Sequence, residues 1–86
     1  MANVVRILAP AKFRDSVRNL APQQKLLLRE AIRVVQSDPR SGKLLSEELE
    51  GLRSFAIRRY RLIYEFDNGD AVTLVRFGHR ETIYEQ

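Results

Sequence analysis

The chain has 86 residues, a formal net charge of +4, a pI near 10.0 and no cysteine. At that length one domain over residues 1–86 is expected, burying roughly 60% of its unfolded surface. Without cysteine there is no disulfide framework, thiolate zinc site or thiol nucleophile, and the single histidine, His79, makes no histidine metal site, so no metal or cofactor is expected. No apolar run nears the roughly 20 residues that span a bilayer, and Met1 to Arg6 lacks a signal-peptide core; the expectation is a cytoplasmic protein with no membrane contact.

Residues 3–8 are short and β-branched, which suits a strand. Pro10 fits an early helical position, and Phe13, Val17 and Leu20 follow on one stripe. Ala21-Pro22 breaks that helix and starts a second. There Leu27, Leu28, Ala31, Val34 and Val35 share a face opposite Lys25, Arg29 and Arg33. Turn residues from Ser37 to Gly42 end it, so the two helices form a hairpin. Residues 43–52 read as an acidic, loosely ordered connection with Leu49 and Leu52 pinned to the core.

Tyr60, Leu62, Tyr64 and Phe66 alternate with Arg61, Ile63 and Glu65, the period of a strand. Asn68-Gly69 predicts a two-residue type I′ turn, and a second strand runs from Ala71 to Phe77. That turn sets residue 66 opposite 71, 64 opposite 73, 62 opposite 75 and 60 opposite 77. Tyr60, Leu62, Tyr64, Phe66, Ala71, Thr73, Val75 and Phe77 then share an apolar face against the helices. Arg61, Ile63, Glu65, Val72, Leu74 and Arg76 share the other, with Arg61 directly opposite Arg76. Like charges across a ladder are destabilising, so this pair either holds an anion or is neutralised by Glu65, Glu81 or solvent. A bulge would break the pairing.

The charge is uneven. Residues 1–43 hold nine Lys/Arg and three Asp/Glu (+6), whereas residues 44–86 hold six Arg and eight Asp/Glu (−2). Yet Arg53, Arg58, Arg59 and Arg61 fall within nine positions that contain no acid. Arg61, Arg76 and Arg80, with Arg58 and Arg59 close by, are candidates to converge on one sheet face. Arginine suits phosphate because its planar fork donates two parallel hydrogen bonds and keeps its charge. Tyr60 and Tyr64 belong with the core, while Tyr84 in the tail can stack a base. Metal-free phosphodiester cleavage by such a set favours RNA, whose 2′-hydroxyl is an internal nucleophile, over DNA, which offers none. The protein then aligns the attack, stabilises phosphorane charge and protonates the 5′-oxygen through Tyr84, His79 or Arg80. A basic sheet face equally describes an RNA-binding module.

Leu52-Arg53-Ser54-Phe55, Tyr60-Arg61-Leu62-Ile63-Tyr64, Gly78-His79-Arg80-Glu81 and Ile83-Tyr84 together resemble the RelE/ParE superfamily of type II toxins. The resemblance covers essentially the whole chain. It implies an α+β fold: an N-terminal strand and helical hairpin packed on a small antiparallel sheet whose open face is the working surface. RelE-type members cut mRNA in the ribosomal A site without metal and are held inactive by a cognate antitoxin. The resemblance therefore implies an mRNA endoribonuclease that acts on translated messages, with antitoxin, mRNA and ribosome as partners. It makes Arg61 the contact to the scissile phosphate, Arg80 the group stabilising the transition state or leaving group, and Tyr84 the base-stacking ring. Arg53, Arg58, Arg59, Arg76 and His79 are the further candidates for RNA phosphate. The position most like the family's proposed base is Ala56, which neither gives nor takes a proton, and only Glu85 and Gln86 remain where the family has a C-terminal helix. A ParE-like toxin, which inhibits DNA gyrase by binding protein, needs no such base and is the alternative; an inert basic binding module or decayed toxin is the third reading.

Overall fold

The alternation from Tyr60 to Phe66 builds the central strand of a five-stranded mixed sheet. In the computed structural model, which describes residues 4–46, 49 and 51–84, the elements in chain order are β1 (Arg6–Leu8), α1 (Ala11–Ser16), α2 (Pro22–Ser37), β2 (Lys43–Leu44), β3 (Leu52–Ile57), β4 (Tyr60–Phe66) and β5 (Ala71–His79). The sheet order is β1-β5-β4-β3-β2. The fold is α+β, as expected, with β1 added parallel to β5 at one edge and every other pairing antiparallel.

Both helices pack chiefly on one face of the sheet, α1 against β5 and α2 against β1, β3 and β4. The α2 stripe buries Leu28, Ala31 and Val35, with Leu27 packed at its margin; Val34 lies at the edge and stays exposed. Pro22 starts α2 with its fixed φ, and the Gln24 side chain returns to accept from the Ala21 N–H at 2.9 Å. The core closes on Leu62, Tyr64, Phe66, Val72, Leu74 and Phe77 from the sheet.

The β4–β5 turn departs from the expected two-residue loop. The Asp67 carboxylate accepts from the N–H groups of Gly69 (2.7 Å) and Ala71 (3.1 Å), and the Asp67 N–H donates to the Ala71 carbonyl. Three residues, 68–70, therefore span the turn, with Asn68 at φ 64°. An aspartate that bonds the backbone ahead of it makes this longer turn favourable. Those two N–H groups hold the Asp67 carboxyl below its ordinary range. The extra residue sets Phe66 opposite Val72 and Tyr64 opposite Leu74, so Val72 and Leu74 face the helices, and Ala71 and Thr73 do not. That reverses the expected faces for 71–74, because a one-residue slip exchanges them. A bulge between Ile63 and Tyr64 on β4, at Val75 on β5, restores the phase: Leu62 faces Phe77 and Arg61 faces Gly78. Arg61 and Arg76 are therefore not paired; Arg76 stands opposite Ile63.

The connection 43–52 is also more ordered than expected at both ends. Lys43 and Leu44 pair with Ser54 and Arg53 as a short edge strand, and the Leu45 N–H reaches the Leu52 carbonyl at 2.9 Å. Leu49 and Leu52 are half-buried, but neither belongs to the core cluster. Residues 47, 48 and 50 lie outside the described residues.

Candidate nucleic-acid interface

Strand alternation sorts the candidate residues between two faces. On the helix side, Arg53 pairs with Tyr64, Phe55 with Leu62, and Ile57 with Tyr60. On the open side the rows run Ser54–Ile63–Arg76 and Ala56–Arg61–Gly78. Ser54, Ala56 and Gly78 carry little or no side chain, so the middle of this face is a low floor. A Cβ added to Gly78 would meet the Ile83 side chain at 3.1 Å, so the segment after β5 lies over the floor there.

Tyr84 ends that segment with its hydroxyl 2.7 Å from the Ser54 hydroxyl. The residue remains 44% exposed and lines a cleft, which leaves it available as a stacking partner. Lys43 enters from β2, directly across from Ser54. Lys43, Leu45, Ser54, Ala56, Arg61 and Tyr84 line an open cleft of about 470 Å³.

The Arg61 guanidinium is aimed by backbone carbonyls. Its Nη1 donates to the carbonyls of Tyr60 (2.8 Å) and Arg58 (3.2 Å). Those carbonyls sit at the Arg58-Arg59 hairpin turn, where Arg58 adopts φ 53°, a left-handed value that costs a residue with a side chain. Nε and Nη2 of Arg61 make no protein hydrogen bond among the described residues, and no described carboxylate lies within ion-pair distance. A half-buried, pre-aimed guanidinium with two free donors fits a phosphate. The Arg80 N–H docks on the Arg59 carbonyl at 2.7 Å. Arg58, Arg59, Arg61 and Arg80 thus gather at one end of the sheet.

The other candidates are placed elsewhere. Arg53 is on the helix side, where its Nη1 donates to the carbonyls of Gly42 (2.8 Å) and Arg40 (3.3 Å). His79 is also on that side, edge-on to the Tyr60 ring at 5.6 Å, and its Nδ1 accepts from the Glu81 N–H. Arg76 is on the open side but lines a separate groove with Ser16, Thr82 and Ile83, and donates to the Ile83 carbonyl at 3.2 Å. Tyr60 stacks on Phe77 at 5.4 Å and accepts from the Gln24 amide, as befits a core-side ring. Tyr64 is fully buried and burial pushes its hydroxyl's pKa up; that hydroxyl donates to the Pro39 carbonyl and accepts from the Gly42 N–H. Lys43 was not among the sequence candidates. Two residues of strand are too few to show alternation, so its side of the sheet was not legible.

Residues 4–84 match the family described as ParE toxin of type II toxin-antitoxin system, parDE, and the chain belongs to that family, within the RelE/ParE superfamily. Among solved structures it is similar to a chain of the RelBE2 toxin–antitoxin complex from Mycobacterium tuberculosis, at 26% identity over 93% of this chain and 95% of that one, with a TM-score of 0.80. The isolated E. coli RelE toxin is 20% identical over 87% and 83%, TM-score 0.71. The intact E. coli RelBE complex gives 18% over 87% and 95%, also 0.71; at these identities the two E. coli likenesses speak to fold alone. No curated protein matches.

Proposed function

We propose that this toxin is an mRNA endoribonuclease of the RelE type, acting on translated messages at the ribosome and restrained by a cognate antitoxin. The observation that carries the reading is Arg61: a half-buried guanidinium fixed by two backbone carbonyls, with free donors over an open cleft that ends in the Tyr84 ring. An RNA phosphate seated on Arg61 places the neighbouring base against Tyr84. The 2′-oxygen attacks phosphorus as the P–O5′ bond breaks, leaving a 2′,3′-cyclic phosphate and a 5′-hydroxyl. Arg61, whose donors are already oriented, carries the charge that builds on the phosphorane, and the exposed Arg80 at the same end of the sheet adds to it. Ala56 offers no base, so the 2′-hydroxyl proton passes to water and O5′ takes one back.

The antitoxin reading is supported by toxin–antitoxin complexes among the similar structures. The chemistry that would cover this arginine-rich end is an acidic segment that orders on binding. Gyrase inhibition is the second reading, and two observations favour it: the family description names ParE, and the cleft floor at Ala56 lacks a proton-transfer group. Primer extension on mRNA from cells briefly expressing the toxin, beside an Arg80→Ala control, separates them. Cuts in translated messages that vanish in the control are expected. Growth arrest with intact mRNA and loss of gyrase supercoiling activity would instead establish the ParE-like target.

A further inference from the structure

The cleft contains a second cation that no sequence motif marked. Lys43 sits on β2 directly opposite Ser54, on the same side of the sheet as Ala56 and Arg61, and lines the same cleft as Arg61 and Tyr84. We propose that Lys43 contacts the RNA phosphate from the strand next to Ala56, so that the phosphate lies between the Lys43 ammonium and the Arg61 guanidinium; this rests on the endoribonuclease reading.

Three features of the fold deliver Lys43 to that place. The buried Tyr64 hydroxyl is bonded to the Pro39 carbonyl and the Gly42 N–H, which fixes both ends of the turn before β2. Arg53, one strand away, donates to the carbonyls of Gly42 and Arg40 and fastens the same turn. Gly42 itself has no room for a side chain, since a Cβ there would stand 2.6 Å from the Tyr64 hydroxyl. Lys43 is the residue that follows, and its ladder partner Ser54 is the residue bonded to Tyr84. A buried clamp on the helix side thus sets the position of a cation on the open side. Ala56 leaves space between the two cations, and a lysine ammonium, a compact charge with three donors, can reach across a gap that a short side chain leaves open.

The test is single-turnover cleavage of a defined message on programmed ribosomes, from subsaturating to saturating toxin. Lys43→Met keeps the aliphatic stem without the charge, Lys43→Arg keeps the charge, and Arg61→Ala reports the reading on which the proposal rests. Losing one charged hydrogen bond to phosphate should slow Lys43→Met and Lys43→Ala by roughly tenfold or more, with Lys43→Arg restored to within about threefold. Because Lys43 is exposed, the Tm of Lys43→Met, Lys43→Ala and Lys43→Arg should match wild type, so a purely structural role would not produce rescue by charge. If Lys43→Met and Lys43→Ala cleave like wild type while Arg61→Ala fails, Lys43 does not touch the substrate and the endoribonuclease reading survives. If Lys43→Arg is as slow as Lys43→Met, the charge is not what matters and the proposal falls. If wild type leaves the message intact, both fall.

Discussion

The two faces of one sheet use arginine and tyrosine in opposite ways. On the helix side every such group is occupied by the protein itself: Arg53 by carbonyls of the 39–42 turn, Tyr64 by the same turn, Tyr60 by Gln24 and Phe77. On the open side Arg61 is aimed but not consumed, and Tyr84 is anchored by its hydroxyl while its ring stays accessible. The difference teaches that residue type alone does not decide whether a group in this chain is consumed by the fold or left open to a ligand. What separates the two faces is whether the fold leaves a side chain's donors, as at Arg61, or its ring, as at Tyr84, open to a ligand.

The sharpest break of that comparison sets one residue from each face side by side on the same strand. Arg61→Ala should cut cleavage by roughly 10²–10³-fold, as loss of a pre-aimed charge donor does, with Tm nearly unchanged. Its neighbour Leu62, fully buried toward the helices, should do the reverse. Leu62→Ala should cost about 2–5 kcal/mol, and at this size each kcal/mol lowers Tm by about 4–8 °C. Thermal melts and cleavage rates on both variants decide it; an Arg61→Ala protein that unfolds would make that arginine structural.

A smaller effect joins the two faces. Tyr64→Phe removes a buried hydroxyl that satisfies Gly42 and Pro39, which should cost about 1–3 kcal/mol of stability measured by chemical denaturation. Because the same turn delivers Lys43, cleavage should also slow several-fold although Tyr64 never meets RNA. Unchanged cleavage would show that the clamp does not set the cleft.

The smallest effect lies at the β4–β5 turn, far from the cleft. The carboxylate of Asp67 is held below its ordinary pKa by the N–H groups of Gly69 and Ala71. A depressed folded pKa contributes stability that is present above the unfolded value of 3.8 and is lost as pH falls through the folded one. Wild type should therefore melt slightly higher than Asp67→Asn at neutral pH, with the gap closing below pH 3.8. A gap constant with pH would mean the carboxylate's charge plays no part in the turn.

Much of the fold was legible because its signals are local and repeated. Pro22 and the stripe through Leu28, Ala31 and Val35 define α2, and the alternation from Tyr60 to Phe66 defines β4. The register of β5 was not legible, for a specific reason. Asn68-Gly69 supports a two-residue turn as a dipeptide, but the Asp67 side chain recruits Ala71 and lengthens it. The bulge at Val75 then compensates, and nothing in the run Val72-Thr73-Leu74-Val75 marks where it falls. Two errors of phase cancel, so Phe77 lies on the expected face while Val72 and Leu74 do not. Among the candidate site residues, Arg61 and Tyr84 line one cleft, whereas Arg80 is exposed and is not among its lining residues. Arg53 and His79 are turned to the helix side by the same alternation that exposes their neighbours, and Lys43 was hidden in a strand too short to read.

The most direct test of the account is the chemistry of the cut ends left on a message by purified toxin and programmed ribosomes. Attack by the RNA's own 2′-oxygen on a phosphate held at Arg61 predicts a 2′,3′-cyclic phosphate upstream and a 5′-hydroxyl downstream, with neither formed by Arg61→Ala. A 5′-phosphate end, or a message left whole by toxin that still arrests growth, would contradict it.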